Sequence, residues 1–164
     1  MRRAPMAALT AGLLYLSVGL TFALAPGCGG SGLPDKVKFA APPQSILLGG
    51  VSVNFQLAHA EDDEMKVRFY FRNVSNQMLV VNRDGIGLRL PDGRVLPRRG
   101  YNKEPYFIAP GTGHEVWVAF GEKGLDLRTV QTASVIIGGV AFGSDPVQRV
   151  VGEIPLSWAG NADD

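Results

Sequence analysis

The sequence predicts an all-β fold: an antiparallel β-sandwich of immunoglobulin-like type, with about seven to nine strands behind an N-terminal signal helix. Two observations carry this. Apolar and polar residues alternate with period 2 in several short runs separated by Gly, Pro, Asn and Asp. Beyond the N-terminal segment, no window of about 12 residues or more keeps an apolar period of 3.6. A small closed barrel satisfies the same pattern and is the alternative architecture.

The first element is the N-terminal segment. Arg2 and Arg3 precede an uncharged apolar run, Ala7 to Ala25, which is the layout of a secretory signal. The run gives way to Pro26, Gly27, Cys28, Gly29, Gly30, Ser31 and Gly32 rather than to the basic residues that follow a membrane anchor. A cut after Ala25 would leave Pro26 just beyond it, where proline is disfavoured. A cut before Cys28 places Gly27 at −1 and Ala25 at −3, with Leu24 at −4, and this resembles the lipobox of bacterial lipoproteins. Cys28 is the only cysteine of the chain, so it forms no internal disulfide. Lipid attachment at Cys28 accounts for the residue and its place together, each buried acyl methylene contributing about 0.8 kcal/mol to membrane binding. Residues 1–27 are therefore expected to be a lipoprotein signal peptide. Residues 28–45, rich in Gly, Pro and Ala, are expected to be a lipid-anchored spacer without regular structure.

Of the 164 residues, 16 are Lys or Arg and 15 are Asp or Glu. Arg2 and Arg3 are the only charged residues before Cys28, so the remainder is close to neutral and has no basic excess to attract nucleic acid. It is long enough for one domain, predicted over 46–158 with a polar tail at 159–164, stabilised by packing alone.

Val51, Val53, Phe55 and Leu57 alternate with Ser52, Asn54, Gln56 and Ala58 and form the first confident strand. Val67, Phe69 and Phe71 alternate with Lys66, Arg68, Tyr70 and Arg72, giving a second strand whose outer face is basic and aromatic. Met78 to Val81 is a short apolar run. Leu88 and Leu90 lead into Pro91-Asp92-Gly93, a turn that returns the chain through Val95 and Leu96 as a hairpin. Ala109-Pro110-Gly111 feeds a strand with Val116, Val118 and Phe120 inward and Trp117 outward. Ala133 to Ile137 and Val147 to Trp158 supply the last strands, while Glu122 to Val130 forms at most one or two helical turns.

The runs Val67 to Asn76, Leu88 to Gly93, and Ala109-Pro110-Gly111 before Val116 to Phe120 resemble bacterial exported immunoglobulin-like domains, including the telokin-like lipoprotein domains of unknown function. In those a strand ends in an Asn-x-Ser/Thr-Asn-like turn, a hairpin closed by Asp-Gly follows, and a Pro-Gly turn feeds an aromatic-rich strand. The resemblance spans roughly residues 51 to 120. It implies an exported sandwich and carries no catalytic residues across.

Four carboxylates follow His59 in His59-Ala60-Glu61-Asp62-Asp63-Glu64, and His59, Asp62 and Glu64 are the candidate metal ligands. The spacing of a dedicated calcium loop is absent, and a solvated hairpin loop is the expectation. His114 shares the inward parity of Val116 and is expected to be partly buried. Asn73-Val74-Ser75 matches a glycosylation acceptor and reads better as a turn. No nucleophile elbow or oriented nucleophile–base pair is present, so no catalytic residues are assigned. The segment Arg98 to Phe107 combines Arg98, Arg99, Tyr101 and Tyr106, residue types that dominate binding hot spots, and outward Trp117 adds a second aromatic anchor.

These features lead to the expectation of a lipid-anchored, non-enzymatic protein of the bacterial cell envelope, at the outer membrane facing the periplasm. It would act as an accessory or interaction subunit of a membrane-associated assembly. Its partners would be the membrane, through lipid at Cys28, and an envelope protein; no cofactor is expected. A solute- or metal-binding lipoprotein is the alternative, and an envelope hydrolase the third reading.

Overall fold

The alternating runs fold into antiparallel strands joined by short turns. The computed structural model describes residues 33–42, 45–100, 102–144 and 147–161. The signal segment, Cys28 and Tyr101 lie outside the described residues. The strands are β1 (Val37–Ala40), β2 (Ser45–Leu48), β3 (Val51–Glu61), β4 (Glu64–Asn73), β5 (Leu79–Val81), β6 (Gly87–Arg89), β7 (Val95–Leu96), β8 (Arg98–Arg99), β9 (Tyr106–Ile108), β10 (Gly113–Gly121), β11 (Thr132–Ile137), β12 (Val140–Phe142) and β13 (Gly152–Asn161). Two 3-10 turns, Arg83–Gly85 and Leu127–Thr129, are the helical content of the described residues.

Ten strands form one sheet in the order β7-β6-β11-β13-β1-β3-β4-β10-β8, with β2 also paired to β3. The outermost strands β7 and β8 are separated in sequence by Pro97 alone. Leu96 and Arg98 can be no more than about 7 Å apart, so the sheet curls until its first and last strands meet, and the result is nearly a barrel. Proline suits this corner, where the chain leaves β6 for β10 and has no ladder hydrogen bond to donate. The small sheet β12-β5-β9 contributes Leu79, Val81, Ile108 and Val140 to the same apolar core.

The strongest alternations behave as predicted. Val67, Phe69 and Phe71 of β4 and Val116, Val118 and Phe120 of β10 are buried, and the two strands pair in register from Gly113 opposite Arg72 to Gly121 opposite Glu64. Phe69 packs edge-on against both Phe55 and Phe71, with ring centroids 6.3 Å apart in each case. The Pro91-Asp92-Gly93 hairpin forms, with the Asp92 side chain accepting from the Arg94 amide.

Several expectations are corrected. The predicted spacer does not run to residue 45, because Val37 and Phe39 of β1 are buried in the core, and β1 and β2 follow one another along β3 as an interrupted strand. The folded domain thus starts near Val37 rather than at 46. At the other end β13 runs to Asn161, past the predicted limit at 158. In β3 a bulge at Gln56 reverses the parity, so Ala58 and Ala60 face the core where Leu57 was expected to. The count of thirteen strands exceeds seven to nine because β1, β2, β8, β9 and β12 have two to four residues each. That is too short for alternation to register.

Asn73 ends β4 and is fully buried. Its Nδ2 donates to the Gln77 carbonyl at 2.7 Å and the Ile108 carbonyl at 2.8 Å, and its Oδ1 accepts from the Ser75 amide at 3.0 Å and the Ser75 hydroxyl at 2.7 Å. This residue is a structural turn, as the sequence suggested, and all its polar capacity is spent on pinning the Asn73–Gln77 turn to β9.

Candidate functional site

The residues singled out as a recognition surface come together in part. Arg98, Arg99 and Trp117 line one groove of about 300 Å³ with Lys66, Arg83, Gly100 and Asn102. The closure of the sheet at Pro97 is what lays β8 beside β10 and brings Arg99 opposite Ala119, two residues from Trp117. Cross-strand pairing sets Arg68 opposite Trp117, with the guanidinium carbon 5.0 Å from the indole centroid. The indole N–H donates to Glu115 at 2.9 Å, which orients a side chain that remains 41% exposed.

Two of the predicted arginines are structural ties. The Arg98 side chain is only 5% exposed and clasps Asp84 at 2.6 Å, fastening the Arg83–Gly85 turn to β8. Arg99 bonds both the carboxylate and the carbonyl of Asp63 and so holds the β3–β4 loop; that hydrogen bond keeps the Asp63 carboxyl below its ordinary range. Tyr106 is not in the groove lining but is tied to it through Arg83, whose guanidinium carbon lies 4.9 Å from the ring. The Tyr106 ring also lies on His114 at 4.6 Å. His114 is exposed, correcting the expectation of partial burial, because its ring rests on Tyr106 instead of entering the core.

Lys66 and Arg83 were not among the predicted site residues. Lys66 was legible as part of the basic outer face of β4, but Arg83 sits in Asn82-Arg83-Asp84-Gly85, which reads as an ordinary turn. Arg83 donates to the Asn102 carbonyl at 3.0 Å and has no carboxylate partner among the described residues, and its buried Nε has no hydrogen bond. It is the groove's uncompensated cation.

The candidate metal ligands do not converge. Asp62 pairs with Arg128 at 2.8 Å, Glu64 with Lys66 at 3.1 Å, and Glu61 with Lys36 at 2.8 Å. Among the described residues no three His, Cys, Asp or Glu side chains are placed to hold a metal ion. The acidic loop is thus an ion-paired hairpin end, with Asp62 in the left-handed region at φ 42°.

His59 is buried between these pairs, and burial, followed by the Lys36 charge, lowers its pKa from 6.5. The unfolded chain therefore takes up a proton at a higher pH than the folded one. Stability at neutral pH is unaffected and falls as pH drops below about 6.5. Urea titrations at pH 7.5 and 5.5 should show this loss, and His59→Gln should flatten it. An unchanged slope in the variant would remove His59 as the cause.

No protein-family model matches the chain, and no curated protein does. Among solved structures, the chain is similar to the yjhA protein from Bacillus subtilis at 7% identity, over 65% of this chain and 93% of that one, with a TM-score of 0.48. A conserved hypothetical protein from Bacillus anthracis matches at 9% identity over 71% of this chain and 98% of that one, with a TM-score of 0.42. The putative ApaA protein from Bordetella pertussis matches at 13% identity over 76% and 94%, with a TM-score of 0.41. None of these likenesses brings a function to this chain.

Proposed function

We propose that the protein is a lipid-anchored, non-enzymatic accessory or interaction subunit of a bacterial envelope assembly, held at the outer membrane through Cys28 and facing the periplasm. The observation that supports a recognition role most directly is the groove in which Lys66, Arg83 and Arg99 stand beside the exposed face of Trp117. Its chemistry suits a partner segment that sets a carboxylate next to an apolar side chain: Arg83 takes the charge and Trp117 the apolar contact. The anchor rests on the Arg2-Arg3, apolar-run and Cys28 pattern. No cofactor is required for this role.

Two measurements test the reading. Intact mass of the membrane-extracted protein should equal the chain from Cys28 plus lipid, and Cys28→Ala should lose that modification; an unlipidated mass in the native protein removes the anchor. Crosslinking in the envelope should capture a protein partner, and Trp117→Ala, a substitution at an exposed ring, should reduce capture about tenfold or more without changing the unfolding temperature. Undiminished capture would move the interface elsewhere.

A further inference from the structure

The small sheet β12-β5-β9 presents an apolar face away from the core. Leu79, Val81, Ile108 and Val140 point inward, so alternation turns Val80, Phe107 and Ala141 outward. Val80 pairs with Phe107 on one side and with Ala141 on the other, and residues paired directly share a face, so the three form one row across the sheet. Phe107 is 67% exposed, and Met78, two residues before Val80, is exposed as well. Beyond β12 the chain bridges Arg149 to Val140, and with Val151 buried its neighbour Val150 turns outward and extends the apolar surface past Ala141. None of these residues lines the groove at Trp117.

Single exposed apolar side chains are ordinary, but a continuous strip across paired strands is a contact surface. The shape of this strip is specific. It falls from a protruding phenyl ring at Phe107, through Val80, to the small side chain of Ala141, which is only 8% exposed and lies as a dip between Val80 and Val150. The row itself carries no charge. At its β9 border stand Lys103 and Glu104, adjacent and exposed, whose opposite charges cancel.

A lipid surface with anionic headgroups selects an excess of Lys and Arg beside the apolar contact, and this face has none. A charged partner finds no complementary field here. A second copy of the chain fits both the neutrality and the taper. A two-fold axis through Val80, parallel to the strands, reverses the order of the row, so each Phe107 lands on the Ala141 of the other copy and Val80 meets its own counterpart. We propose that the outer face of β12-β5-β9 is a self-association surface on which two copies pair in this way. A face three strands wide falls short of the about 800 Å² per partner of a stable dimer, so the pairing is weak and reversible. The inference is independent of the partner-binding role proposed for the groove at Trp117.

The test is sedimentation equilibrium of the full chain in a density-matched detergent over about 5–500 μM. The protein mass should rise from one chain to two with a Kd of about 10–100 μM. Phe107→Ala and Ala141→Phe should each weaken association about tenfold or more. An equal mixture of the two variants should associate about as tightly as the native chain, because each supplies what the other's row lacks. Phe107→Asp puts a charge at an exposed position and should remove association altogether; association retained in that variant overturns the surface whether or not Ala141→Phe folds. Trp117→Ala should leave association unchanged, and its loss there would overturn the proposal by moving the contact to the groove. A mass of one chain at every concentration, growth beyond two, or a mixture no tighter than its components also overturns it. So does a single-chain mass combined with vesicle binding, or with capture of a different protein in the envelope, that Phe107→Asp removes.

Discussion

Asn73→Asp should destabilise the fold by about 4 kcal/mol and Asn73→Ala by about 3 kcal/mol, read from urea unfolding of the full chain. The native carboxamide, itself fully buried, donates to two main-chain carbonyls and accepts from two Ser75 groups. Aspartate keeps the shape but turns an oxygen toward the carbonyls of Gln77 and Ile108, adding repulsion and a buried charge. Its pKa in the folded state would be raised, so the stability of the Asp variant should recover as pH falls and be lost as pH rises through that value. The native protein runs the other way, since Glu61, Asp63, Asp92 and Asp126 have lowered pKa values and lose their contribution as they protonate. If Asn73→Asp proved as stable as the native chain at neutral pH, the four-bond account of this turn would fail.

Phe69→Ala is the other large effect, at about 3–5 kcal/mol. Phe69 has no exposed surface and sits between two edge-on rings, each of which loses its partner when the side chain is removed. Phe69→Leu, which retains much of the volume, should cost markedly less, about 1–2 kcal/mol. Comparing denaturant midpoints of the two variants separates loss of volume from loss of ring geometry. Equal losses would mean that the edge-on arrangement, rather than filling, is what the core requires.

The longest strands were read from their own alternation, whereas short ones such as β6 and β7 were legible only through the Pro91-Asp92-Gly93 turn between them. β4 and β10 show their buried faces directly, and Trp117 reads as outward because three apolar residues on its own strand fix the parity. β1 was hidden because four residues between Gly- and Pro-rich flanks resemble a tether, although Val37 and Phe39 already alternate with Lys38 and Ala40. The Gln56 bulge left no mark in the pattern, since Phe55, Leu57 and Ala58 are all apolar enough to sit on either face.

The candidate sites were less legible than the fold, because they depend on which strands become neighbours. Nothing local in Asn82-Arg83-Asp84-Gly85 says that Arg83 will stand in a groove with Trp117, or that Asp84 will clasp Arg98. Sequence did not distinguish an arginine that ties the fold, such as Arg98 or Arg99, from one left with an open charge, such as Arg83.

The place of β13 in the middle of the main sheet has a consequence for how the chain is made. β13 pairs with β11 on one side and β1 on the other, so the last described strand joins the first. Until Gly152 to Asn161 are available, β7-β6-β11 and β1-β3-β4-β10-β8 are two ribbons joined through Pro97, with β11 and β1 as open edges that no intermediate chain length can bridge. Contacts this distant in sequence make folding slow and late. Synthesis from the N-terminus therefore produces a polypeptide that stays unfinished, and dependent on protection of its exposed strands, until Gly152 to Asn161 have been made.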